Sequence, residues 1–258
     1  MPELVKAENL VKHFPVAAGR VHAVDDVSFS IMEGETLGLV GESGCGKSTT
    51  GRLLVRLIEA TSGRILYRGR NIASMDGREL RQSRRQVQII FQDPFSSLDP
   101  RKCIGETIGK PLEIFGVGSG REREGMVDVL MEKVGLSPRL YYMYPHELDG
   151  GRRQRVGIAR ALSLSPDFIV CDEPVSSLDV SIQAQILNLL QELQEREKLT
   201  YLFVSHDLSV VKHISNRIAV MYLGKIVESA SSPDLFHDTL HPYSQALLAA
   251  VPIPKLNR

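Results

Sequence analysis

Three short stretches of the sequence combine residue types that could do chemistry on a phosphate. Residues 41 to 48, GESGCGKS, match the spacing G-x-x-x-x-G-K-[ST]. Glycines let a backbone wind tightly enough for consecutive N–H groups to converge on an anion. Gly41, Ser43, Gly44, Cys45, Gly46 and Thr49 are therefore expected to line a nucleotide's phosphates. Lys47 is expected to reach the β- and γ-phosphates, and the Ser48 hydroxyl to ligate Mg²⁺. The second stretch, FIVCDE, ends an apolar run on Asp172 and Glu173. An acidic pair there is costly unless it is solvated or bound to something. Asp172 is expected to hold Mg²⁺ through water, and Glu173 to accept a proton from an attacking water. The third, HELDGGRRQRVGIARAL over residues 146 to 162, sets Gly150-Gly151 directly before a helix start. Bare amides at a positive helix end suit an anion. Yet the turn carries no phosphate-gripping lysine, and Asp149 stands where an anion would sit.

These residues need particular elements behind them. ETLGLVGESGCGKSTTGRLLVRLI reads as a buried strand, a glycine-rich turn and a helix with Leu53, Leu54, Leu57 and Ile58 on one face. FIVCDE is a second buried strand, followed by a helix whose stripe is Ile182, Ile186, Leu190 and Leu193. TYLFVSH supplies a third strand. Strands alternating with amphipathic helices predict an α/β fold with a mostly parallel sheet covered on both faces. Between roughly 93 and 160 the pattern turns helical, with Met126, Leu130 and Val134 aligned and Gly135 as a C-terminal stop. RIAVMYLGKIVESA reads as a hairpin turning near Gly224-Lys225.

Composition narrows the class. The chain has 258 residues, 43% of them hydrophobic, with 31 basic and 31 acidic side chains. That balance sets up no global field toward nucleic acid or an acidic bilayer. No apolar run approaches bilayer length and the opening lacks an apolar core, so neither secretion nor a membrane span is expected. Three scattered cysteines support neither a disulfide framework nor a zinc knuckle, and a reducing cytoplasm fits best. Arg78, Arg81, Arg84 and Arg85 read as a solvated helix face, Cys45 as filler within its loop, and His241-Pro242-Tyr243 as a surface tail.

With the first two motifs placed, the third resembles the signature segment, L-S-G-G-Q, of the ATP-binding cassette family. Leu148, Asp149, Gly150, Gly151 and Arg152 occupy its five positions. The resemblance extends over nearly the whole chain. It makes Gln92 of FQDP the Q-loop glutamine and a further Mg²⁺ contact, SSLD ending at Asp179 the D-loop, His206 the switch histidine and Phe14 the aromatic that stacks on adenine. It implies a P-loop nucleotide-binding fold with an antiparallel β subdomain. The ATP-binding domain would span 1–235, with a core at about 1–92 and 161–235 and a helical subdomain at about 93–160. A C-terminal tail of the oligopeptide-transporter type would follow at 236–258. In this family two cassettes pair head to tail, so the glycine pair implies a site for the γ-phosphate of an ATP held by the partner.

The signature departs from the family pattern twice, with Asp149 in place of serine and Arg152 in place of glutamine. A carboxylate about 5 Å from a phosphate charge would cost on the order of 3 kcal/mol at an effective dielectric near 20. Two readings stand at this point. Asp149 points away and caps the following helix, or it weakens the site this chain lends its neighbour.

RRQVQIIFQDPFSSLDPR (84–101) and LHPYSQALLAAVPIP (240–254) look like the ATPase subunits of bacterial oligopeptide and dipeptide importers, closest to the F type. That resemblance implies an ATP-hydrolysing motor using ATP and Mg²⁺, peripheral to the cytoplasmic face of the inner membrane. Its partners would be a D-type ATPase or a second copy of itself, two permeases and, indirectly, an extracytoplasmic binding protein, with no nucleic acid. No iron–sulfur cluster is expected, because no cysteine follows Cys171. Import of another solute, such as nickel or a sugar, would use the same motor. A DNA-repair or translation cassette would bring a long coiled coil or a second linked cassette, and neither is in the sequence.

Overall fold

The computed structural model describes residues 2–17 and 19–250; the last eight positions of the expected C-terminal tail, 251–258, lie outside the described residues. In chain order the strands are β1 (Glu3–Val16), β2 (Gly19–Met32), β3 (Thr36–Val40), β4 (Ser62–Tyr67), β5 (Arg70–Asn71), β6 (Val87–Ile90), β7 (Phe168–Asp172), β8 (Thr200–Ser205), β9 (Arg217–Tyr222) and β10 (Lys225–Ser231). The helices are α1 (Lys47–Leu54), α2 (Gly77–Gln86), α3 (Pro94–Ser97), α4 (Ile104–Ile114), α5 (Gly120–Lys133), α6 (Gly150–Leu162), α7 (Val180–Glu197), α8 (Leu208–Ile214), α9 (Ser232–His237) and α10 (Pro242–Ala249). They fall into two compact units, one drawn from Met1–Met75 with Tyr201–Arg258 and the other from Asp76–Thr200.

In the first unit β3 lies between β8 and β9 and is parallel to both, while β10 returns antiparallel on β9. Every residue of β3 and β8 is buried, as the uninterrupted apolar runs required. Gly38 in β3 exists because α8 packs there: a methyl group would collide with Val211 and the Ser215 hydroxyl. β1, β2, β4 and β5 form a separate antiparallel sheet in the order β2-β1-β4-β5. The β9–β10 hairpin turns at Leu223-Gly224, both at positive φ, one residue earlier than expected.

In the second unit β6 and β7 pair in parallel, and all five β7 residues are buried. Each such aliphatic or aromatic side chain contributes about 1.5–3 kcal/mol by leaving water. α7 buries Ile186, Leu190 and Leu193 of its predicted stripe, and Leu187 and Leu189 widen it.

Two expectations need correction. α1 stops at Leu54, because Arg56 takes φ +50 and turns its guanidinium onto the Ile72 and Met75 carbonyls. Leu57 therefore does not continue the helix face and is half exposed. In α5 the buried face runs through Val127, Leu130, Met131 and on to Val134, whereas Met126 is exposed. The predicted stop at Gly135 holds, with φ +67.

Candidate active site

The first unit carries the glycine-rich loop between β3 and α1. Gly41 has φ +154, and a side chain there would strike the Met221 carbonyl. Gly46 has φ +111, caps α1 without any side-chain bond, and would strike the Ala23 carbonyl if it carried a Cβ. The loop's curvature is thus open to glycine alone at both positions. The cap residue itself offers no side chain to compete for the N-terminal amides of α1.

Lys47 is 4% exposed. Its ammonium donates to the carbonyls of Gly41 and Glu42, each at 2.8 Å, and comes within 3.9 Å of the Cys45 sulfur. A buried cation served by neutral carbonyls would gain from an anion, because charge-assisted bonds are about twice as strong as neutral ones. Ser48 and Thr49 follow half-buried on the first turn, and Thr50 bonds back to the Gly46 carbonyl. Burial pushes the Cys45 thiol above its ordinary value, against the pull of Lys47. It is no thiolate nucleophile, in keeping with the filler reading. These features fit a phosphate group and its metal: glycines where a Cβ would fill the cradle, a buried amine, and a hydroxyl at the helix start.

Phe14 also lies in this unit, 37% exposed, with the Lys12 ammonium 5.0 Å from its ring centroid. His206 is exposed just past the end of β8, and Asp207 beside it caps α8 through the Ser209 and Val210 N–H groups. His13, His22 and Asp25 bring potential ligand atoms within 4.8 Å of one another, but Asp25 already meets Lys225 at 3.3 Å.

The second unit carries the remaining candidates and brings several together. Asp172 is 1% exposed at the end of β7. Glu173, also buried, has φ +47, a conformation that costs a non-glycine residue roughly 1–3 kcal/mol and clusters at functional positions. The Gln92 amide donates to Glu173 Oε2 at 2.9 Å, across 81 residues of sequence. The glycine pair meets the D-loop: a Cβ on Gly150 would lie 3.1 Å from Leu178, and one on Gly151 2.7 Å from Ile182. Close packing therefore leaves little room for a side chain at Gly151 and only slightly more at Gly150. Asp179 caps α7 through the Ile182 N–H and accepts from the Ser181 hydroxyl, and these bonds, the Ser181 one foremost, hold its carboxyl below the ordinary range.

Asp149 is the N-cap of α6. It accepts the Arg152 N–H at 2.7 Å and lies 3.4 Å from the Arg152 guanidinium. Of the two readings of the signature, the geometry is that of the cap. Leu148 before it is buried.

Some residues were not singled out in the sequence. Arg153 donates to the Pro145 carbonyl at 2.7 Å with its guanidinium over Phe95, and Arg160 donates to the Ser97 carbonyl at 2.6 Å. Together they tie α6 to the segment that follows Gln92. Nothing in a run of arginines along a helix separates these from solvated ones. The surface-tail reading of His241-Pro242-Tyr243 is also corrected: the Tyr243 hydroxyl accepts the Glu42 N–H at 3.1 Å, within the glycine-rich loop. The tail reading failed because that contact joins residues 201 positions apart.

Residues 24–176 match the ABC transporter family. The oligopeptide transport ATP-binding proteins AppF and OppF of Bacillus subtilis are each 52% identical to the chain over 98% of it, and over 79% and 83% of their own lengths. The chain belongs to the ABC transporter family. It is an ATP-binding cassette of that family and an ATPase. Its fold is similar to that of the cassette MJ0796, solved as a dimer in a post-hydrolysis state bound to ADP and Pi. The TM-score is 0.81 at 31% identity, covering 89% of this chain and 99% of that one. No helix among the described residues of the cassette is long and apolar enough to cross a membrane.

Proposed function

We propose that this cassette is the ATP-hydrolysing motor of a bacterial importer of oligopeptides or dipeptides. It would pair head to tail with a D-type cassette and sit on two permease subunits at the cytoplasmic face of the inner membrane, supplied by an extracytoplasmic binding protein. The observation that carries the peptide reading is the 52% identity, along almost the entire chain, to relatives named for oligopeptide transport.

The site residues divide the work. Lys47 turns an N–H donor to the phosphate oxygens, while the loop amides from Ser43 to Thr49 point at the same anion and Phe14 stacks on adenine. Mg²⁺, when bound, offsets the charge that builds on the phosphate oxygens, with Ser48, Gln92 and Asp172 as its holders. Glu173 takes a proton from the attacking water, and the Gln92 amide orients its carboxylate for that task. His206 contacts the γ-phosphate. Gly150 and Gly151, with Leu148, Asp149 and Arg152 around them and Asp179 in the D-loop, face the ATP held by the other cassette.

The test has two arms. Glu173→Gln should lower ATP turnover by about 10² to 10⁴, the usual loss with a general base, while ATP binding persists in a closed dimer. Tagged chain extracted from native membranes in mild detergent should copurify with two permeases and a second, distinct cassette ATPase, identified by mass spectrometry. Copurification with ribosomes, DNA or nothing would overturn the transport reading.

A further inference from the structure

One peptide group of the glycine-rich loop, between Gly41 and Glu42, is gripped from both sides. Its carbonyl accepts the Lys47 ammonium at 2.8 Å, and its N–H donates to the Tyr243 hydroxyl at 3.1 Å. The two grips differ in kind. The Lys47 ammonium has three N–H donors and spends two of them on the Gly41 and Glu42 carbonyls, so a phosphate competes for the group that holds this side of the peptide. The Tyr243 hold does not depend on Lys47. Gly41 is also a place where the loop has no room to spare, since a single Cβ there would strike the Met221 carbonyl and lie 2.8 Å from the Cys45 sulfur.

Tyr243 is itself firmly placed. Both carboxylate oxygens of Glu228 accept backbone N–H groups just before it, from Leu240 at 2.8 Å and His241 at 3.1 Å. His241 Nδ1 caps α10 by accepting the Tyr243 N–H at 3.2 Å. The Tyr243 ring lies 4.3 Å from that of Tyr222, at the end of β9. The turn after Tyr222 returns to the loop, where the Gly224 N–H donates to the Cys45 carbonyl at 3.0 Å. Burial raises the phenol above its ordinary value, so it stays a neutral hydroxyl. The bond to Glu42 belongs to the hydroxyl and the contact with Tyr222 to the ring, so the two roles can be separated.

We infer that Tyr243 is a positioning residue for ATP binding: through the Glu42 N–H it keeps the Gly41–Glu42 peptide in place as Lys47 turns a donor toward the phosphate. The inference rests on the reading of Lys47 as the phosphate lysine. The C-terminal segment around α10 is then part of the nucleotide site's support.

The test compares the full chain with Tyr243→Phe, which keeps the ring and removes the oxygen, and with Lys47→Ala. Tyr243→Phe should raise KM for ATP about two- to tenfold, the worth of one neutral hydrogen bond, and leave kcat within about twofold. Amide hydrogen exchange at Glu42 should accelerate by about tenfold, with the melting temperature little changed; a space-filling role would move neither KM nor that amide. If Lys47→Ala loses ATP affinity but Tyr243→Phe changes neither KM nor Glu42 exchange, the inference fails and the phosphate-lysine reading stands. If Lys47→Ala binds ATP as the natural chain does, the reading beneath it fails.

Discussion

The cassette contains two glycine turns that open onto helix N-termini, and they treat the amides there in opposite ways. Ahead of α1, Gly46 caps the helix with no side-chain bond, and the first helical residue is the buried Lys47. Ahead of α6, Asp149 places its own exposed carboxylate on the Arg152 N–H. The same helix-end physics serves both, since partial positive charge and orphan amides favour an anion. What differs is who supplies it. The first turn leaves its place to a ligand, while the second provides one ligand from within the chain and keeps its glycines chiefly where Leu178 and Ile182 press on them.

Removing what distinguishes the first turn should have the largest effect. Lys47→Ala deletes a charge-assisted donor, each such bond being worth about 1.5–3 kcal/mol, so ATP affinity measured by calorimetry should fall by about ten- to hundredfold or more. Attacking the packing of the second turn comes next. Gly151→Val places carbon against Ile182 and should destabilise the chain by about 1–3 kcal/mol in denaturant unfolding, with part of the loss recovered when Ile182→Ala is added. An unchanged midpoint would remove close packing as the reason for that glycine.

The cap itself gives a smaller effect and a sharper distinction. Asp149→Ala should cost about 1 kcal/mol of stability, and Asp149→Ser, which can still cap, less. ATP turnover of the assembled transporter decides what else the acid does: a rise with Asp149→Ser would mean the carboxylate was repelling a partner's phosphate, and no change would leave it a cap alone. The smallest effect concerns another acid-capped start, at α7. Because Asp179 titrates below its ordinary 3.8 when folded, its contribution is complete above that pH and is lost as pH falls through the lower folded value. Asp179→Asn should flatten that acid limb of the unfolding profile.

Much of this was legible without coordinates. The glycine spacing around Lys47, the acid pair that ends FIVCDE and the α7 stripe are local patterns, written within one turn, strand or helix. The course of α1 was not, because Leu57 and Ile58 keep a helical period that the left-handed Arg56 interrupts. That guanidinium is held by Ile72 and Met75, far along the chain. Met126 misled for the related reason that hydrophobic periodicity cannot say which of two adjacent faces of α5 finds a neighbour.

The sequence by itself determined the chemistry available to this protein: a loop that only glycines can close, one lysine behind it, a carboxylate pair at a strand end and a glycine pair before a helix. These depend on side-chain type and spacing, which the chain carries whatever its conformation. Only the tertiary structure decided what each polar group meets. Gln92 reaches Glu173 across 81 residues, Arg160 reaches Ser97 across 63, and Tyr243 reaches Glu42 across 201. A hydrogen bond acts over about 3 Å, so partners distant in sequence exist only once the core has brought their backbones together.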